Sequence, residues 1–109
     1  MQSNETYSLK YFLLAKQDIS EIVRYIGKEL CNPATAENLA EKIITAIQSL
    51  TIFPYRCPVY QPPLKKKMRY EYRKLLVENY TVFYRIDEEK KIVRIMRVIY
   101  GRRDHSRLL

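Results

Sequence analysis

Two cysteines, Cys31 and Cys57, and one histidine, His105, are the only thiol and imidazole groups in this 109-residue sequence. That inventory cannot build a Cys/His zinc site, and neither a metal nor another cofactor is expected. No apolar run approaches the ~20 residues needed to span a bilayer, and the first residues do not resemble a signal peptide. The expectation is a soluble cytoplasmic protein with reduced thiols and no membrane partner. Basic residues are scarce in the first half. Residues 1–53 hold five Lys/Arg against six Asp/Glu, whereas residues 54–109 hold fifteen against six, a net of +9. Charge segregated this sharply favours a polyanionic partner, either nucleic acid or an acidic protein segment. The length fits one domain, residues 1–109, with a modest core.

What is present organises around Tyr72 to Val98. β-Branched and aromatic residues fill three runs: Tyr72 to Val77, Tyr80 to Ile86 and Ile92 to Ile99. Glu78-Asn79 is a two-residue hairpin loop in which Asn supplies the positive φ, and Asp87 to Lys91 is a charged, solvated connection. Alternation places Val82, Tyr84 and Ile86 on one face of the middle strand and Thr81, Phe83 and Arg85 on the other. The simplest account is an antiparallel meander with one buried face, its other face and rim carrying arginines.

Upstream, Tyr7, Leu9 and Tyr11 alternate with polar residues as a short strand. A helix is expected from about Leu14 to Leu30, with Ala15, Ile19, Ile22, Val23, Ile26 and Leu30 as its apolar stripe. Asn32-Pro33 restarts the chain as N-cap and first helical residue. The second helix presents Ala36, Leu39, Ala40, Ile43, Ile44, Ile47 and Leu50 and stops before Pro54. The pair is a helical hairpin whose stripe packs on the sheet. Four prolines then keep residues 54–71 irregular. That segment carries Lys65, Lys66, Lys67 and Arg69 among Tyr55, Tyr60 and Tyr70, a pattern suited to stacking bases while neutralising phosphates.

The order of strand, helical hairpin, three-stranded meander and basic C-terminus resembles the RelE/ParE superfamily of bacterial toxins from type II toxin–antitoxin pairs. LAKQDISEIVRYI, YRKLLVENYTVFYRI and IMRVIYGRRD carry the resemblance, which runs from Tyr7 to Leu109. It implies the small α+β toxin fold, a plasmid-stabilization type of role in growth inhibition, and a cognate antitoxin that binds the toxin as a hetero-oligomer. Two activities divide the superfamily. RelE-like members cut messenger RNA on the ribosome, which requires a base, an acid and cations around the phosphate. Arg73 and Lys74 match the first cationic place, but Thr81 stands where a second cation belongs, with Arg85 about 13 Å along the strand at ~3.3 Å per residue. Arg73, Tyr100, Arg103 and His105 would carry that chemistry. ParE-like members have an apolar or Thr residue at that place and poison DNA gyrase. Thr81 and the DISEIVRYI helix favour ParE-like, with the ribosome-dependent ribonuclease and a non-toxic basic interaction module as alternatives. Arg97 reads equally as a structural ion-pair partner or a ligand contact, and His105 as a surface histidine. Lys65, Lys66, Lys67, Arg69, Arg73, Arg97, Arg102 and Arg103 are the candidate contacts to target or antitoxin. The Arg102-Arg103 pair, just past Gly101, leads them.

Overall fold

Four strands form one mixed sheet in the order β1-β4-β3-β2. β1 is Ser8–Tyr11, β2 Arg73–Val77, β3 Tyr80–Asp87 and β4 Ile92–Tyr100. The structure is a computed structural model in which residues 6–62, 67–101 and 109 are described. β2, β3 and β4 make the expected antiparallel meander, and β1 joins parallel to β4 with Ser8 opposite Ile92. Between β1 and β2 lie α1, Leu13–Arg24, and α2, Pro33–Gln48. The arrangement is the α+β fold expected: an N-terminal strand, a helical hairpin and a three-stranded meander.

α2 begins as its sequence dictates. The Asn32 side chain accepts the Thr35 N–H at 3.3 Å, and Pro33 occupies the first turn, where no N–H is needed. Of the expected stripe, Ile43, Ile47 and Leu50 are fully buried, while Ile44 is only half-buried and lies at its edge. α1 has no side-chain cap, and past Arg24 it widens into a π-helical turn, Tyr25–Glu29, marked by the Leu30 N–H to Tyr25 O bond of 3.2 Å. A wider turn breaks the 3.6-residue period. Leu30, expected to close the stripe, is instead 57% exposed. Cys31 then leaves the turn at φ 50°.

The helix side of the sheet buries Leu75, Val77, Val82, Tyr84, Val93, Ile95 and Val98 against Ala15, Ile43, Ile47 and Leu50. Tyr84 donates its hydroxyl to the Pro54 carbonyl at 2.6 Å, a partner at the core edge, and burial pushes the phenol well above its ordinary value.

Two expectations need correction. The sheet does not have a single buried face: Phe83 and Thr81, on the opposite side from Tyr84, are 1% and 3% exposed. The nominally irregular segment covers Phe83. Val59 bridges Arg73, Lys74 N–H reaches the Pro58 carbonyl, and Tyr60 N–H reaches Tyr72 O at 2.7 Å. This lays the Tyr60 ring edge-on to Phe83 at 5.2 Å. The second correction is in the β2–β3 turn, where Glu78 rather than Asn79 takes the left-handed conformation, at φ 55°. Among the described residues no helix is long and apolar enough to cross a membrane.

Candidate functional site

β1 covers only the first half of β4, from Ile92 to Ile95. Beyond it the register slips: Tyr84 faces Ile95 while Phe83 faces Arg97, which leaves Met96 as an extra residue. Here α1 takes over the strand's outer edge. Asp18 accepts the Val98 N–H at 2.9 Å, the role a neighbouring strand's carbonyl would otherwise play. The same carboxylate holds both Nε and Nη2 of Arg97 at 2.8 and 2.9 Å. This hydrogen bonding raises the Arg97 pKa above its ordinary value. Of the two readings of Arg97, the ion pair with a carboxylate is therefore present in the structure. Asp18 was not singled out from sequence, although a signal existed. It lies between Ala15 and Ile22 at helical spacing, and a carboxylate beside a buried stripe needs a partner.

Of the side chains nominated for RNA cleavage, Arg73 and Tyr100 are the two among the described residues, and these two stand apart. By register Arg73 is on the helix side of the sheet with Leu75 and Tyr84. There its guanidinium donates to the Cys57 carbonyl at 2.6 Å and lies 5.0 Å from the centre of the Tyr55 ring. Lys74 faces the other way, beside Phe83. Thr81 donates its hydroxyl to the Gly101 carbonyl at 3.2 Å and is buried. Tyr100 is 61% exposed and packs edge-on to Tyr80 at 5.3 Å. Tyr100 pairs with Tyr80, and Arg73 with Tyr84, which separates the two rows by about 13 Å along β3 at ~3.3 Å per residue. Lys65, Lys66, Arg102, Arg103 and His105 lie outside the described residues. Lys67 and Arg69 are exposed. Among the described residues no three His, Cys, Asp or Glu side chains are grouped as a metal site.

What does converge is a groove of ≈ 670 Å³ between α1 with its π-helical turn and the end of the sheet. Ile22, Tyr25, Ile26 and Leu30 form one wall, and Tyr80 and Tyr100 the other, with Asp18 and Arg97 among its lining residues. Tyr25, Leu30 and Tyr100 are each more than half exposed. Burial raises the Tyr80 pKa. An apolar trough with a few polar groups at its rim suits the apolar face of a peptide helix or strand. The groove was not legible from sequence, because it depends on the π-helical turn leaving Leu30 uncovered.

At the far end of the sheet, Glu88 accepts from Tyr7 and Tyr55, both at 2.7 Å, and from Lys91. These donors hold the carboxyl at about 2, and the same bond pushes the Tyr55 phenol to about 12. The cluster pins the β3–β4 turn to the start of the chain and to the segment after α2.

Comparison with known proteins agrees with this architecture. The chain is similar in fold to a structure of the chromosomal ParDE toxin–antitoxin system from P. aeruginosa, with a TM-score of 0.69 and 19% identity over 90% of this chain and 99% of that one. It is also similar to the RelBE2 toxin–antitoxin complex from Mycobacterium tuberculosis, with a TM-score of 0.59 and 20% identity over 92% and 97% of the two chains. No curated protein sequence matches it. Residues 9–105 match the family model for the ParE toxin of the type II toxin–antitoxin system parDE. With nearly its whole length matched, the chain belongs to the ParE toxin family, within the RelE/ParE superfamily of type II toxins.

Proposed function

We propose that this toxin arrests growth by poisoning DNA gyrase rather than by cutting messenger RNA, and that it works in the cytoplasm as one domain spanning residues 1–109. The observation that carries the reading is at Thr81. Cleavage by the ribose 2′-OH without a metal draws its transition-state stabilisation from fixed cations, and losing one such donor costs about 10²–10³ in rate. Thr81 brings no charge, and its hydroxyl is engaged by the Gly101 carbonyl. Arg73, the nearest match to a catalytic cation, is tied to Cys57 O through Nη1 and lies 3.8 Å from Glu71, on the opposite side of the sheet from Lys74. A ribonuclease on this scaffold would lack both. In a reconstituted translation system, primer extension should show no codon-specific cuts, while the same protein inhibits gyrase supercoiling. Arg102→Ala with Arg103→Ala should reduce toxicity. Codon-specific cuts abolished by Arg73→Ala, with gyrase unaffected, would establish the ribonuclease instead.

The antitoxin belongs to the same proposal. Its apolar side chains would seat in the groove between Tyr25, Leu30 and Tyr100, and its acidic residues would face the basic second half of the chain. Affinity should fall with rising salt, as part of it is electrostatic. An affinity flat from low to high salt would remove the acidic component from this picture.

A further inference from the structure

The side of the sheet turned away from the helices carries a row of cations, none of them among the candidate contacts named from the sequence. Lys10 on β1 lies beside Arg94 on β4, and Arg94 lies beside Arg85 on β3. Lateral neighbours in a sheet point to the same side, and strands are ~4.8 Å apart, so the three side chains cross roughly 10 Å of one face. Like charges set directly opposite one another destabilise a sheet. The fold offsets only part of this: Asp87 takes Arg94 at 3.0 Å, and among the described residues Lys10 and Arg85 form no ion pair. Arg85 instead sits over the Tyr70 ring, its guanidinium carbon 3.6 Å from the ring centre, with the Arg69 guanidinium 5.4 Å from the same ring. A guanidinium stacked on an aromatic ring keeps its N–H edge available for an anion and loses little freedom when one binds.

We infer that this row is a binding face for the phosphate backbone of duplex DNA. It stands apart from the groove, on the other side of the sheet and about 17 Å along β3, five steps of ~3.3 Å from Tyr80. An acidic peptide would also need apolar surface to dock. The apolar hollow beside the row, between Phe12, Tyr72 and Met96, is only ≈ 180 Å³ and is lined by the chain's own Leu109. What the row offers, among the described residues, is charge on a sheet face that carries no helix to enter a groove, which is backbone contact without base reading. The inference stands independently of the gyrase reading, because it concerns DNA bound by the toxin alone.

The test measures binding of the full chain to a labelled mixed-sequence DNA duplex by fluorescence anisotropy across a salt series. Lys10→Gln with Arg85→Gln should flatten the plot of log affinity against log salt by about 1.8, or 0.9 for each phosphate no longer neutralised. Lys16→Gln with Lys28→Gln, equal in charge but on the helical layer, should keep the wild-type slope. Lys10→Gln alone, which breaks no ion pair among the described residues, should give half the change, and it replaces the double variant if that one melts early. A wild-type slope in the row variants would overturn the assignment, as would an equal loss in the helical pair. Displacement of the DNA by polyglutamate at matched charge would also overturn it, making the face a site for acidic protein.

Discussion

The two sides of this sheet are covered by different means. The helix side is closed by two elements whose apolar positions recur at helical spacing, and its contacts are almost wholly hydrocarbon. The opposite side is closed by residues 58–62 and 67–72, which have no periodicity, and its contacts are rings and guanidinium groups: Tyr60 on Phe83, Tyr70 on Arg85, Tyr72 buried beside them. A periodic cover can be read from one stretch of sequence. A cover made of single side chains at irregular intervals depends on where the segment crosses the sheet. The first side provides most of the core; the second holds cations against it, Arg94 only 17% exposed and paired with Asp87, Arg85 resting on the Tyr70 ring.

The sharpest way to break that comparison is to charge the helix side. Ile43→Asp or Ile47→Asp places an unpaired carboxylate at a fully buried position, and the expected cost of several kcal/mol is comparable with the ~5–15 kcal/mol of an ordinary domain. Loss of the cooperative melting transition is the expected result. Phe83→Ala then asks whether the second side is also a core. Removing a buried Phe typically costs about 3–5 kcal/mol, against less than about 0.5 kcal/mol for a surface substitution. Chemical denaturation should place it in the first range, and a value in the second would return that face to solvent.

Asp18→Ala tests the seam where α1 replaces β1 along β4. It removes both Asp18 bonds to the Arg97 guanidinium and the bond to the Val98 N–H together, and about 2–3 kcal/mol should be lost, as hydrogen bonds to charged groups are worth about 1.5–3 kcal/mol. The double variant with Arg97→Ala should lose less than the sum of the two single changes. Glu88→Gln has the smallest expected effect and reads the turn at the far end. The Glu88 carboxyl is held at about 2, below its ordinary 4.5. Its contribution is therefore present above pH 4.5 and is lost as pH falls through about 2. An acid titration of the melting temperature should show wild type and variant converging across that window.

Much of the frame was legible. The three meander strands lie within a residue of where β-branched runs placed them, because their breaks, Glu78-Asn79 and the charged stretch 87–91, are strong local signals. The Asn32-Pro33 restart is likewise local chemistry. The features that escaped are non-local. Nothing near Phe83 announces Tyr60, more than twenty residues earlier, and nothing near Val98 announces Asp18. The end of the first helix escaped for a different reason: a π-helical turn keeps helical composition while abandoning the helical period, so the stripe through Leu30 looked continuous. The candidate site was least legible, since Arg73 and Lys74 are adjacent in sequence yet stand on opposite sides of the sheet.

The parallel pairing of β1 with β4 also sets when this protein can exist. Ser8 waits for Ile92, and at about 5–20 residues per second a ribosome needs roughly 4–17 s to make the chain between them. Until β4 emerges, β1 and β3 lack the neighbour they share. A nascent or prematurely terminated chain that ends before Ile92 therefore cannot assemble the four-stranded sheet, which exists only in a chain completed at least through β4.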